Sequence, residues 1–298
     1  MKVLAPYNIT DDTLSSSTVP ETDYAAWSSG TAYAVGDRVI RASTHCIYEA
    51  LTANTGQTPE AHPTDWLDLG ATNRWRPFDK KVGTRATATT SMAYDFTPGR
   101  VVSGLALLET EARSVRVTMT DAVDGVVYDS TFVLEQTIDA PDWWNYFFDP
   151  FRRRSTLLAD DMPMYRDAQI SVAIAGAPGE TVSCGVLVIG QIVRFAEAVL
   201  LGASLGIQDY SRKDTDDWGN TVIVERAFAK RATWALVIGN EQVDMFMSTM
   251  QSLRARPAVY VGSDRYDAVV VYGFPQDFGV EISYPQYSNC SIELIGLT

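Results

Sequence analysis

Between residues 24 and 75 the aromatic and turn residues follow an order that leaves few folds open. Trp27, Tyr33, Tyr48 and Trp66 alternate with Gly30, Gly36-Asp37, Gly56 and Pro59, and Val39 lies between the two tyrosines. Runs this short, closed off by glycine and proline, suit short strands joined by tight turns. The stretch reads as a compact β module spliced into a longer chain. Its left boundary is marked by residues 11–23, DDTLSSSTVPETD, a polar segment containing proline that reads as a linker.

The whole chain has 298 residues, enough for two or three domains, and 46% of them are hydrophobic, so a real core is available. The formal net charge is −13 and the only basic run is Arg152-Arg153-Arg154. Sequence-independent nucleic-acid binding needs many cations on phosphate, and an anionic membrane surface needs the same, so both are expected to be poor partners. Cys46, Cys184 and Cys290 are odd in number and widely spaced, which suits buried thiols rather than a disulfide framework. The N-terminus MKVLAPYNIT lacks the apolar core of a secretory signal, and no apolar run reaches the length of a membrane span. The expectation is a chain made and folded in a reducing cytoplasm, without membrane insertion.

Four segments are expected. Residues 1–23 form an N-terminal arm and linker, and 24–75 form the small module. Residues 76–197 form an antiparallel β-sandwich, because apolar runs of strand length (Val101–Leu108, Ser114–Met119, Gly125–Leu134, Gln169–Ala175, Thr181–Ile189) alternate with turn dipeptides. Asp124-Gly125 marks a hairpin among them. Residues 198–298 form a C-terminal β-rich domain with one packed helix. That helix is placed at 241–253, where Val243, Phe246, Met247 and Met250 repeat at helical spacing, with Asn240 as its cap. The fold class is mainly β and multidomain.

Chemistry is hard to place on this chain. The two histidines, His45 and His62, both lie in the small module, so a Ser-His-Asp triad elsewhere and a histidine-rich metal site are excluded. No phosphate-binding loop, nucleophile elbow or zinc-type spacing occurs. The acids Asp139, Asp142, Asp160, Asp161, Asp214, Asp216 and Asp217 read as solvated loop acids rather than a glycosidase pair or a calcium loop. No catalytic residue, metal or cofactor is therefore assigned. Trp143 and Trp144 open an aromatic block that reads as core or subunit interface, with a sugar-stacking platform as the alternative. Arg152 and Arg153, just beyond it, are expected to pair with acids of a neighbouring subunit. The polar side of the helix around Thr249 carries few charges, which also points to an interface.

The order Trp27, Tyr33, Gly36-Asp37, Val39, Tyr48, Gly56, Pro59, Trp66 resembles the small chitin-binding type of carbohydrate-binding module. The resemblance implies that Trp27, Tyr33, Tyr48 and Trp66 largely build the module's core. It also makes them, with Trp75, the candidate glycan-binding rings. The exposed aromatic pair that this family commonly carries after its second tyrosine is missing here, since no ring follows Tyr48 until Trp66.

The flanks resemble a group of tailed-bacteriophage proteins of the tail tip and baseplate. The segments that carry this likeness are Asn73-Arg74-Trp75-Arg76-Pro77-Phe78-Asp79, Asp209-Tyr210-Ser211-Arg212-Lys213, Asp217-Trp218-Gly219-Asn220 and Tyr284–Glu293. The resemblance implies a virion structural protein, assembled in the host cytoplasm and resident in the tail. Its expected partners are other tail and baseplate proteins, further copies of itself in a ring, and a host cell-surface glycan. The alternatives are a stand-alone glycan- or cell-wall-binding protein and, third, a polysaccharide-degrading tail enzyme.

Overall fold

A computed structural model describes residues 1–135, 143–144, 153–195, 203–215, 218–263 and 266–297. Within them the chain is mainly β, with antiparallel sheets and one long helix, as expected.

The N-terminal segment holds β1 (Lys2–Pro6) and β2 (Leu14–Ser17). The small module follows as β3 (Ala32–Tyr33), β4 (Arg38–Arg41), β5 (Cys46–Ala50), β6 (Asn54–Thr55) and β7 (Trp66–Ala71). Next come β8 (Ala86–Thr89), β9 (Ser91–Phe96), β10 (Gly104–Leu108), β11 (Ser114–Asp121), β12 (Gly125–Val133), β13 (Leu157–Ala159), β14 (Gln169–Ala175), β15 (Thr181–Cys184) and β16 (Val186–Arg194). The last part holds β17 (Ser204–Asp209), β18 (Arg212–Thr215), β19 (Thr221–Val224), β20 (Phe228–Gly239), helix α1 (Val243–Leu253), β21 (Ala258–Val261), β22 (Val270–Glu281) and β23 (Tyr287–Gly296).

Strand alternation explains the sandwich. In β11, Val115, Val117 and Met119 point inward while Arg116 points out to pair with Asp129 on β12. β12, β11, β14, β9 and β2 form a five-stranded sheet in that order. Its inner face, with Tyr94, Phe96, Val117 and Val172, packs on Leu105 and Leu107 of β10 and on Leu187 and Ile189 of β16. The expected hairpin is present: β12 begins at Gly125 with φ +75°, and Asp121 accepts the amides of Val123 and Asp124 in the turn.

The second sheet has nine strands, in the order β13-β10-β16-β1-β21-β22-β23-β20-β17. It joins strands from the expected N-terminal, sandwich and C-terminal segments into one layer. The N-terminal segment is not a free arm, because β1 is hydrogen-bonded on both sides, to β16 and to β21. One face of this sheet serves the sandwich core at one end and α1 at the other. Phe246, Met250 and Leu253 of α1 are buried against a cluster containing Trp234, Tyr260 and Ile292. The opposite face carries Leu4, Leu108, Val188, Val259 and Tyr272.

Side chains bridge the strands at one end of this sheet: Lys2 Nζ of β1 lies 2.5 Å from Asp160 Oδ2, just beyond β13, and Arg194 Nη2 of β16 lies 3.1 Å from the same oxygen.

Asn240 does not cap α1. A 3-10 turn at Asn240–Gln242 precedes the helix, and no side chain caps its start. Asn240 instead donates to the Tyr284 carbonyl at 2.9 Å and accepts from the Ser288 hydroxyl at 2.6 Å. It ties the helix entrance to the β22–β23 hairpin. All three cysteines are free thiols, and burial pushes the Cys184 thiol up to about 12.

Candidate binding cleft between module and body

The inserted module builds its own core. β4, β5 and β7 form one small sheet, and β3 and β6 form another. Tyr33, Val39, Tyr48, Ala50 and Trp66 are buried between them, with Trp27 packed at the margin. Trp66 meets Tyr33 edge-on at 5.2 Å, and its indole N–H donates to the Gln57 carbonyl at 3.0 Å. Gly36 takes φ +90°, where a side chain would be strained, and Asp37 closes the turn by accepting the Ala34 amide at 2.7 Å.

Trp27 lies under the Arg41 guanidinium, 4.7 Å from the ring centre. Arg41 is held in turn by Glu60 through two hydrogen bonds of 2.6 and 3.1 Å. These bonds keep the Glu60 carboxyl below its usual range.

Trp75 belongs to the body rather than to the module core. His45 stacks on it at 4.0 Å, and Trp75 meets Phe78 edge-on, which in turn meets Tyr94 and Phe96 of β9. His45 holds φ +53°, and its two ring nitrogens face Glu21 at 3.0 Å and Asp11 at 3.2 Å. The module's ends meet nearby, where the Asn73 amide donates to the Asp23 carboxylate at 3.2 Å. Asn73 also exchanges two hydrogen bonds with the backbone of Thr87 on β8. The module is thus an insertion hung from the edge of the body.

A cleft of about 490 Å³ opens along this junction. Asp11, Asp68, Asp79, Lys81 and His45 line it, over a floor that includes Trp75 and Phe78. Its chemistry suits a polar ligand able to meet several carboxylates and one ammonium.

The five rings expected to bind glycan are placed as core. Tyr33, Tyr48, Trp66 and Trp75 are buried and Trp27 is half-buried, so none of the five is exposed. Stacking on a sugar needs an open ring face; Arg41 covers one face of Trp27, His45 covers one face of Trp75, and Tyr33, Tyr48 and Trp66 are buried in the module core.

The expected interface residues fall in different places. Trp143 and Trp144 are described and exposed, and Arg152 lies outside the described residues. Arg153 pairs within its own chain, with Glu180 and with Glu135, rather than waiting for a neighbour. The Thr249 hydroxyl donates to the Met245 carbonyl one turn back, at 2.7 Å.

The loop acids are likewise engaged. Asp160 holds Lys2 and Arg194, Asp161 accepts the Tyr128 hydroxyl at 2.7 Å, and Asp214 pairs with Arg212. Asp139, Asp142, Asp216 and Asp217 lie outside the described residues. Among the described residues no group of three His, Cys, Asp or Glu side chains is placed to hold a metal ion.

No protein-family model matches the chain, and no curated protein or solved structure matches it either.

Excision tests the insertion. Replacing residues 24–72 by a short Gly/Ser link should leave the body folded, with one cooperative melt, because Trp75 and Phe78 stay in place. A cut after Trp75 instead of before it should cost the body about 3 kcal/mol or more, since a packed aromatic is lost. Thermal melts of both variants read the difference. Equal melts would place Trp75 with the module.

Proposed function

We propose that this chain is a structural subunit of a tailed-phage tail tip or baseplate that carries an inserted carbohydrate-binding-type module. The observation that carries the reading is the strand pair β18–β19. It is a two-stranded sheet that carries on from the β17–β20 pairing through Tyr210 and Ser211, and every residue of its two strands is exposed. A ribbon of this kind is marginal in water alone, so it suits a subunit completed by its neighbours. The likeness of the flanking segments to tail-tip and baseplate proteins supplies the context. In this reading the nine-stranded sheet is the frame and the module projects from the β2–β8 connection. The module contacts a host cell-surface glycan or decorates and stabilises the tail. Mass spectrometry of purified particles tests the reading: the chain should be present in stoichiometric amount. Its presence only in the infected-cell lysate would count against it.

A second reading, a stand-alone glycan-binding protein, is favoured by the polar cleft at the module's foot. Calorimetry with chitohexaose separates the two. Because none of the five rings is exposed, the affinity should be millimolar or weaker, about −4 kcal/mol or less favourable. A micromolar constant, abolished by Asp68→Ala or Lys81→Ala in the cleft, would favour the second reading.

A further inference from the structure

A pocket of about 230 Å³ lies in the body of the protein. It forms where the β1–β2 connection, the 3-10 turn Arg76–Phe78, β16, the segment after α1 and β22 come together. None of its lining residues belongs to the inserted module. Pro6, Pro77, Leu187 and Pro257 give it an apolar wall.

Two cations line the same pocket: Lys80, just beyond the 3-10 turn, and Arg256, just beyond α1. Both are exposed, and neither has an ion-pair partner among the described residues. The chain has 37 Asp and Glu to 24 Lys and Arg, and many of its arginines meet acids, as Arg41 meets Glu60 and Arg116 meets Asp129. Yet among the described residues no carboxylate lines this pocket. The acid beside Lys80, Asp79, already accepts the Lys81 amide at 2.8 Å and the Thr84 hydroxyl at 2.7 Å. A third cation, Arg100, lies over the ring of Tyr7, which also lines the pocket. Unpaired cations in a concave site without acids attract an anion.

The neutral polar groups of the pocket are open as well. Tyr272 lines it and is 7% exposed, and its hydroxyl has no hydrogen-bond partner among the described residues. A hydroxyl this deep is normally hydrogen-bonded, so this one is free to meet a ligand. Burial, helped by the charge of Asp79, pushes the phenol up to about 12, so it keeps its proton at neutral pH and can donate. The side chains of Asn8 and Thr10 also line the pocket without a partner among the described residues.

We propose that this pocket binds an acidic sugar unit, with its carboxylate on Lys80 and Arg256, its hydroxyls on Asn8, Thr10 and Tyr272, and its C–H face on the proline wall. The three sets of groups select this class together. An inorganic anion leaves the wall and the neutral groups unmatched, a neutral sugar leaves the cations unmatched, and an apolar acid leaves Asn8 and Thr10 unmatched. Ligand pockets commonly run from about 300 to 1,000 Å³, so this smaller one takes a single ring. The assignment concerns the body alone and does not depend on the tail reading.

Saturation-transfer NMR on the full chain tests the proposal. The probes are glucuronate, galacturonate and N-acetylneuraminate, with glucose and inorganic phosphate as controls. At least one acidic sugar should bind saturably, and both controls should bind more weakly. Lys80→Gln and Arg256→Gln change exposed side chains without ion-pair partners, so both variants should stay folded. Each should weaken that binding about tenfold, the scale of one hydrogen bond to a charged group. Tyr272→Phe should weaken it too, through the lost hydroxyl. No saturable binding of any of the three acidic sugars would overturn the proposal. So would binding that both charge variants leave unchanged, since the sugar would then sit elsewhere. Glucose bound as tightly as the best acidic sugar would remove the role of the cations. Phosphate bound as tightly would leave an anion contact and no sugar site.

Discussion

Trp66→Ala should melt the inserted module and leave the body folded. Trp66 is the largest member of a small core with Tyr33, Val39, Tyr48 and Ala50, and it is 2% exposed. Truncating a buried tryptophan costs about 3–5 kcal/mol, from lost burial plus the cavity left behind. The Gln57 carbonyl also loses its indole donor. A unit this small has little stability to spare, so the loss should exceed it. Hydrogen exchange is the direct readout: protection should vanish across β4, β5 and β7 and persist in β10, β14 and β23. Loss of protection throughout the chain would show that module and body fold as one.

The second large effect is expected at Gly190, in the middle of β16. Gly190 faces Gly104 on one neighbour and Pro6 on the other. A Cβ there would stand 1.9 Å from the Ala5 carbonyl oxygen and 3.2 Å from Pro6 Cα. These are backbone atoms and cannot rotate away. Gly190→Ala should therefore push β1 off β16 and lower stability by about 3 kcal/mol, at the upper end of overpacking costs. Val3 and Leu4 of β1, both fully buried, would lose their places in two core clusters. Gly206→Ala on the exposed edge strand β17 is the control, since nothing lies within 4 Å of its Cβ position. Urea midpoints at constant slope compare the two. Similar midpoints would mean that β1 is not held as described.

These two sites also mark what sequence could and could not supply. The module's strands and the alternating strands of the sandwich carry their period in the chain, and α1 carries its own, so both were legible. β9 was legible too, since Met92, Tyr94 and Phe96 alternate, but a short run between threonines and Pro98 drew no assignment. β1 was not legible as an inner strand. Val3, Leu4 and Ala5 are only three apolar residues, and the partner that neutralises Lys2 is Asp160, far along the chain. Long-range pairing of that kind leaves no local periodicity. Trp75 was grouped with the module by proximity in sequence, whereas Phe78 ties it to the body. Arg153 shows the same limit, because a run of arginines does not say whether its acids lie in the same chain. For the candidate site, the aromatic pattern indicated the module's core. The cleft beside it arises from Asp11, Asp68 and Lys81, which come together only on folding.

In the function proposed above, this chain is a tail subunit completed by its neighbours. Electron microscopy of native particles, with the chain located by a bound antibody fragment, tests it most directly. Label is expected in a closed ring at the end of the tail, with strands β18 and β19 of each copy covered by a neighbouring subunit and the inserted module facing outward. Particles that bind no label, or a ring in which the ribbon stands free in solvent, would contradict it.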